Sequence, residues 1–246
     1  MELLTIGTGS KGNAYILSNG DEALLIECGV NISDIKKALD FDLSKVVGCI
    51  VTHEHQDHCK AIHEVMKLGI DTYTGAKTYV ALDTFNYHNA NVIASKQTVQ
   101  IGGFKVMAFD VKHDAAEPLG FLIEHPDCGK VLFLTDTYYC EYTFKGLNNI
   151  IIEANFSKEI IDRKFGVDSG KEFLRNRILR SHFSLANCKD MLSANDLTKV
   201  NNIVLIHLSD SNSDEIQFQK EVAELTGKNV TVANNGMKIN FGKTPF

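Results

Sequence analysis

The segment Thr52-His53-Glu54-His55-Gln56-Asp57-His58 follows directly on the apolar, β-branched run Val46–Val51. Such a run reads as a buried strand, so three histidines and an aspartate crowd the loop that leaves its end. Imidazole and carboxylate in this number suit Zn²⁺ or a similar divalent ion. A loop leaving a strand can turn His53 and His55 toward one point, and Asp57 and His58 toward another. The plainer alternative is a solvated polar loop opening a helix, but such loops seldom concentrate four ligand-type side chains.

Apolar patterning supplies the frame around that loop. Strands are expected at Leu3–Thr8, Ala14–Ser18 and Glu22–Glu27, with Asn19-Gly20-Asp21 as the hairpin turn between the last two. Further strands are expected at Phe104–Val111, Gly120–Glu124, Val131–Thr135, Ile150–Glu153 and Ile203–His207. Ser33 is placed to cap a short helix reaching Leu39. The other helical stretches are His58–Lys67, Ala76–Phe85, Ser169–Arg180, Ser184–Asn195 and Ser213–Thr226. Strand meanders that later alternate with helices point to an α+β chain, with sheets packed together and helices outside them, rather than a doubly wound parallel fold. No linker or repeat divides it, so residues 1–246 are read as a single domain.

The HxHxDH loop resembles that of the metallo-β-lactamase superfamily. The later members of that family's pattern are here too: His113 follows the Phe104–Val111 strand, Asp136 ends Val131–Thr135, and His207 ends Ile203–Ile206. The resemblance implies an αββα sandwich with a two-metal site at one edge. His53, His55 and His113 would hold one ion, Asp57, His58 and His207 a second, with Asp136 bridging. Zn²⁺ is the expected metal and Mn²⁺ could support turnover. One departure is visible: the family usually places an aspartate before its first helix, where Ile26-Glu27-Cys28-Gly29 offers Glu27, read as a support behind the ligands.

A metal pair lowers the pKa of water and binds substrate oxygens, chemistry that fits amides, thioesters or phosphodiesters alike. Four other features lean toward phosphodiesters. Gly9-Ser10-Lys11-Gly12-Asn13 can present N–H groups and a lysine to an anion, with Ser10, Lys11 and Asn13 the candidate contacts, or it is an ordinary glycine turn. Arg175, Arg177 and Arg180 are three of four arginines; they either contact phosphate or form a solvated helix face. His182 either protonates a leaving oxygen or is a structural histidine. Glu153 and Asn155 end an apolar strand, where they line the site or start a turn.

The GSKGN loop, the Glu153-Ala154-Asn155 strand end and the Ser181-His182-Phe183-Ser184 segment look like the YycJ/WalJ-type branch. Glu27-Cys28-Gly29 and the Leu205–Ser213 run look more like the phage anti-Pycsar phosphodiesterases. The first branch implies a 5′–3′ DNA exonuclease. The second implies a homodimer that hydrolyses 3′,5′-cyclic nucleoside monophosphates serving as immune messengers. Charge favours the small substrate: 25 Lys+Arg against 31 Asp+Glu leaves −6, poor furnishing for a polyanion groove. Asp114, Glu117 and Glu141 crowd the ligand-bearing segments and also disfavour a long phosphate backbone. Phe85, Tyr87, Tyr138, Tyr139 and Tyr142 are candidates to stack the base. Scattered cysteines, the absence of a long apolar run and an N-terminus lacking a basic leader read as a cytoplasmic chain, in the host cytoplasm if phage-encoded.

Overall fold

The computed structural model describes residues 1–165 and 172–244. In chain order its elements are β1 (Glu2–Gly7), β2 (Ala14–Ser18), β3 (Ala23–Ile26), α1 (Ile32–Ala38), β4 (Val46–Ile50), α2 (Gln56–Cys59), α3 (Ile62–Lys67), β5 (Thr72–Thr74), α4 (Ala76–Ala81), β6 (Ala90–Val92) and β7 (Thr98–Ile101). There follow β8 (Phe104–Asp110), β9 (Leu119–His125), β10 (Gly129–Leu134), β11 (Leu147–Glu153), α5 (Lys158–Phe165), α6 (Glu172–Ser181), α7 (Leu185–Ser193), β12 (Asn202–Ile206), α8 (Glu215–Thr226), β13 (Asn229–Val232) and β14 (Lys238–Asn240).

Two seven-stranded mixed sheets form, ordered β14-β1-β2-β3-β4-β5-β6 and β13-β12-β11-β10-β9-β8-β7. Strand alternation distributes the apolar side chains. Leu24, Ile26 and Ile50 meet Val106, Phe121, Val131, Phe133 and Ile151 between the sheets. The intervening Leu25 and Cys49 pack outward under Ile35, Ile62 and Val65 of α1 and α3. Leu132, Ile150 and Ile152 pack outward beneath Cys188 and Leu192 of α7 and Phe218 and Val222 of α8. Both faces of each central strand are buried, which explains their unbroken apolar runs. The result is a single α+β domain, the αββα sandwich.

The expected elements need several adjustments. The Asn19–Asp21 turn forms, with Asn19 Oδ1 accepting from Asp21 and Glu22 N–H at 3.0 Å each. The single helix expected at His58–Lys67 is two, because Cys28 N–H bonds to His58 O and Cys28 O accepts from Ala61 N–H. Those backbone groups are claimed by the end of β3, so the helix breaks at Lys60-Ala61. Asn31, not Ser33, occupies the first helix's N-cap, and α8 begins at Glu215 behind its N-cap Asp214, two residues after the expected start at Ser213. Ser184 does cap α7, accepting from Asn187 N–H at 3.0 Å. The start of the expected Ser169–Arg180 helix lies outside the described residues. Among the described residues, no helix is long and apolar enough to cross a membrane.

Candidate metal centre

Parallel and antiparallel strands end on one edge of the sandwich, and the loops leaving them carry the candidate ligands. The β4 strand delivers His53, His55, Asp57 and His58; β8 delivers His113, β10 Asp136 and β12 His207. Asp136 and His207 turn sharply off their strands with φ of 43° and 54°, and Glu27 does the same after β3 at 62°. Left-handed backbone is uncommon for residues with a Cβ, and here it aims three site side chains inward. The loop is clamped from below by Asn13, whose N–H donates to Asp57 O at 2.7 Å. Gly29 lies so close that a Cβ there would fall 1.8 Å from the Asp57 carbonyl oxygen, so only glycine fits this approach.

The ligand atoms form two groups. In the first, His113 Nε2 lies 3.1 Å from His55 Nδ1, while His53 Nε2 and His113 Nε2 lie 3.5 and 3.6 Å from Asp136 Oδ2. In the second, His58 Nε2 lies 3.1 Å from Asp136 Oδ2 and 3.6 Å from Asp57 Oδ2, with His207 Nε2 3.6 Å from Asp57 Oδ2. Two atoms bound tetrahedrally at the usual Zn–N distance stand about 3.3 Å apart, so both groups have the dimensions of an ion's shell. His53 Nε2 is buried without a hydrogen-bond partner, as an atom directed at a cation would be. Asp136 Oδ2 belongs to both groups and can bridge.

Contacts behind the ligands fix the rings. His53 Nδ1 meets Thr52 Oγ1 at 2.8 Å, and Thr52 Oγ1 donates to Glu27 Oε1 at 2.6 Å. Glu27, fully buried, also faces His58 Nδ1 at 3.4 Å. His113 Nδ1 donates to Ser181 O at 2.7 Å, leaving Nε2 with its lone pair. A further grouping of Asp136, Glu153, His182 and His207 is of another kind: His207 Nδ1 lies 2.5 Å from Asp136 Oδ1 and His182 Nδ1 lies 2.8 Å from Glu153 Oε1. These are hydrogen-bond separations, too short to admit an ion between.

Burial holds His53 and His113 below the ordinary imidazole range, ready as neutral ligands. Burial also opposes protonation of His58, but the Asp136 and Glu27 carboxylates outweigh it and push the pKa up to about 10. Asp136 likewise overcomes burial to raise His207. Protons on these two rings thus take the place of cations beside Asp136. Loading the metal-free protein at pH 8 therefore releases the His58 proton, readable with an indicator dye in weak buffer. The raised His58 pKa stabilises the metal-free fold fully below about pH 6.5, and that contribution is lost as pH rises through about 10. Replacing Glu27 with alanine is expected to weaken metal affinity about 10–100-fold, measured by competition with a chelator.

A cavity of 420 Å³ opens over the ligands, walled by Ser10, Asp114, Asn155, His182, Ile178 and Leu208 among others. Of the other expected contacts, Asn13 is buried beside His58, its Nδ2 3.3 Å from Nε2. Lys11 pairs with Asp210 at 3.4 Å in solvent and lines a neighbouring hollow. Arg180 is exposed and off the cavity wall. Arg175 is committed to Asp162 at 2.6 Å; the Arg177 side chain lies outside the described residues. None of the five aromatic candidates lines the cavity. Tyr142 is held by Asp110 at 2.7 Å and Phe85 packs edge-on against Tyr79, so Ile178 and Leu208 supply the apolar wall instead. Of the acidic groups, Asp114 reaches the cavity, whereas Glu117 accepts from Lys77 N–H on α4 and Glu141 pairs with Lys112.

Glu153 is the site residue whose role the sequence left open. It is fully buried, accepts from Phe183 N–H at 3.1 Å and lies 3.3 Å from His207 Nδ1. Its signal was positional: β11 lies between the strands that deliver Asp136 and His207, so its end must reach the same edge. Asn155 Nδ2 donates to His207 O at 2.7 Å, holding that turn.

The chain is 26% identical to exodeoxyribonuclease WalJ of Streptococcus pneumoniae over 253 aligned residues, covering 96% of this chain and 90% of the relative. Similarity to anti-Pycsar protein Apyc1 of Bacillus phage 010DV004 is 35% over 72 residues, 26% of this chain and 28% of that protein. Among solved structures, the metallo-β-lactamase fold protein YhfI of Bacillus subtilis superposes with a TM-score of 0.70 at 16% identity, covering 97% of this chain and 98% of that one. Residues 23–208 match the family model for the beta-lactamase superfamily domain, a span that holds every candidate ligand: the chain belongs to the metallo-β-lactamase superfamily and is a metal-dependent hydrolase.

Proposed function

We propose that the chain is a dinuclear-metal phosphodiesterase that opens 3′,5′-cyclic nucleoside monophosphates to linear nucleotides and so degrades a cyclic-nucleotide immune signal. The observation carrying this reading is the cavity wall: among the described residues it contains no lysine or arginine, and it places Asp114 beside the ligands. A DNA strand needs cations along its track, whereas a single phosphodiester needs them only at phosphorus. A volume of 420 Å³ suits one small ligand.

Two divalent ions, Zn²⁺ or Mn²⁺, would supply the lowered water pKa and the charge neutralisation that a phosphodiester requires. The protein groups do the rest. His182 donates a proton to the departing ester oxygen, its Nδ1 pinned by Glu153. Ile178 and Leu208 accept the base or ribose against an apolar surface. Asn13 and Glu27 keep the His58 loop in register. The reading includes a homodimer acting in the cytoplasm, and sedimentation of the metal-loaded protein tests the dimer.

Similarity to WalJ along nearly the whole chain favours a second reading, a metal-dependent 5′–3′ DNA exonuclease. Incubation of the protein with 3′,5′-cyclic nucleotides beside linear duplex DNA, with either metal and with Asp57→Ala as control, separates the two. Loss of cyclic nucleotides with DNA intact is expected. Shortened DNA beside untouched cyclic nucleotides would transfer the chain to the exonuclease reading.

A further inference from the structure

At the other end of the same strands lies a second hollow of 480 Å³, lined by Lys105, Lys130, Lys199 and Lys243 with Glu124 as its one carboxylate. Register explains part of the cluster. Lys105 on β8 and Lys130 on β10 both pair with Glu124 on β9, so three charged side chains stand in one row across the outer face of the sheet. Lys199 precedes β12 and Lys243 follows β14, which brings two more cations over the same rim. Gly103, Gly129 and Gly146 contribute to the lining, keeping the floor low between the lysine stems.

Several lysines elsewhere have carboxylates: Lys11, Lys37, Lys112, Lys158, Lys189, Lys220 and Lys238 all lie within 4.0 Å of one. Among the described residues the four ammonium groups of the hollow make no ion pair and no hydrogen bond, although the Lys199 charge is felt by Asp196. Four unpaired cations against one carboxylate, on a chain of net charge −6, concentrate positive potential in one concavity. About six strand residues separate it from the metal-ligand edge, roughly 20 Å, so it is not part of the metal site.

The geometry points to a binding site for a compact polyphosphate anion, such as an inorganic triphosphate or the triphosphate of a nucleotide. The volume accommodates a chain of phosphoryl groups, and four movable ammonium ions match its several charges. A lone orthophosphate would engage too few of the lysines, and a continuous nucleic-acid strand would need cations beyond the rim of the hollow.

The test follows amide NMR shifts in the metal-loaded protein titrated with inorganic triphosphate near physiological salt. Saturable shifts at Gly103, Gly129 and Gly146 are expected, distinct from any at the metal edge. Lys105→Glu/Lys130→Glu should weaken half-saturation at least about tenfold while leaving phosphodiester turnover unchanged. Lys199→Ala/Lys243→Ala is the milder pair should the charge reversals disturb folding, and it too should weaken binding. ATP as a second probe separates the sources: equal affinity assigns recognition to the phosphates alone, and tighter binding adds the nucleoside. No shifts would overturn the proposal. Equal shifts with sulfate would leave an adventitious ion only, and tighter binding of oligodeoxythymidylate would make the patch a nucleic-acid surface; either result overturns it.

Discussion

Asp57→Ala abolishes measurable turnover, at least about a thousandfold, because the ions stabilise several kcal/mol of developing charge and each 1.4 kcal/mol is tenfold. The loss is chemical rather than structural. The Asp57 side chain is part-exposed on the cavity and its close ionic neighbours are His58 and His207. Its backbone oxygen, which accepts from Asn13 N–H, is untouched by the substitution. Bound metal should fall from two ions per chain toward one, while circular dichroism and the metal-free melting temperature stay near the parent's. An Asp57→Ala protein with full activity and two tightly bound ions would remove this residue from the second ion's ligands and break the two-metal reading.

His182→Ala carries the second large effect, a loss of about 10²–10⁴-fold in turnover with metal content unchanged. The ring sits at the cavity wall, a quarter exposed, and reaches no candidate ligand atom closer than the 3.6 Å between Nδ1 and Asp136 Oδ1. A proton donor to the leaving group has a signature that a merely structural ring lacks. The deficit should be large for cyclic nucleotides, whose leaving alkoxide is strongly basic, and small for a p-nitrophenyl phosphodiester, whose leaving group departs without help. Equal losses on both substrates would assign His182 to binding or support instead.

The site was more legible in the sequence than its surroundings. Ligands sit where strands end, and strong apolar runs such as Val46–Ile50, Gly129–Leu134 and Asn202–Ile206 mark those ends clearly. The sheet margins were not legible. All four edge strands, β6, β7, β13 and β14, went unread, because an edge strand is short and partly solvated and shows no continuous apolar run. The fifth, β5, has only three residues. Supports such as Ser181 O behind His113 were invisible for a different reason: a backbone carbonyl leaves no mark on residue type. The aromatic candidates show the opposite limit, since chain proximity to the ligands did not carry Tyr142 or Tyr87 onto the cavity wall.

Glu27, Asp136 and His207 each hold a left-handed backbone while keeping a Cβ, at a cost of about 1–3 kcal/mol apiece. Glycine would occupy those torsions without the steric penalty. Part of the backbone strain of the fold is thus stored at three positions that serve the ions, beside Asp40, Phe41, Asp83 and Lys96, which hold the same torsions elsewhere. Glycine there would also empty three buried side-chain positions and take from His58 and Thr52 the carboxylates they face, so the contacts of the site hold the strain in place. Relief of torsional strain and loss of a buried partner therefore nearly offset one another at these strand ends, and a lineage that abandons hydrolysis gains little robustness by erasing them.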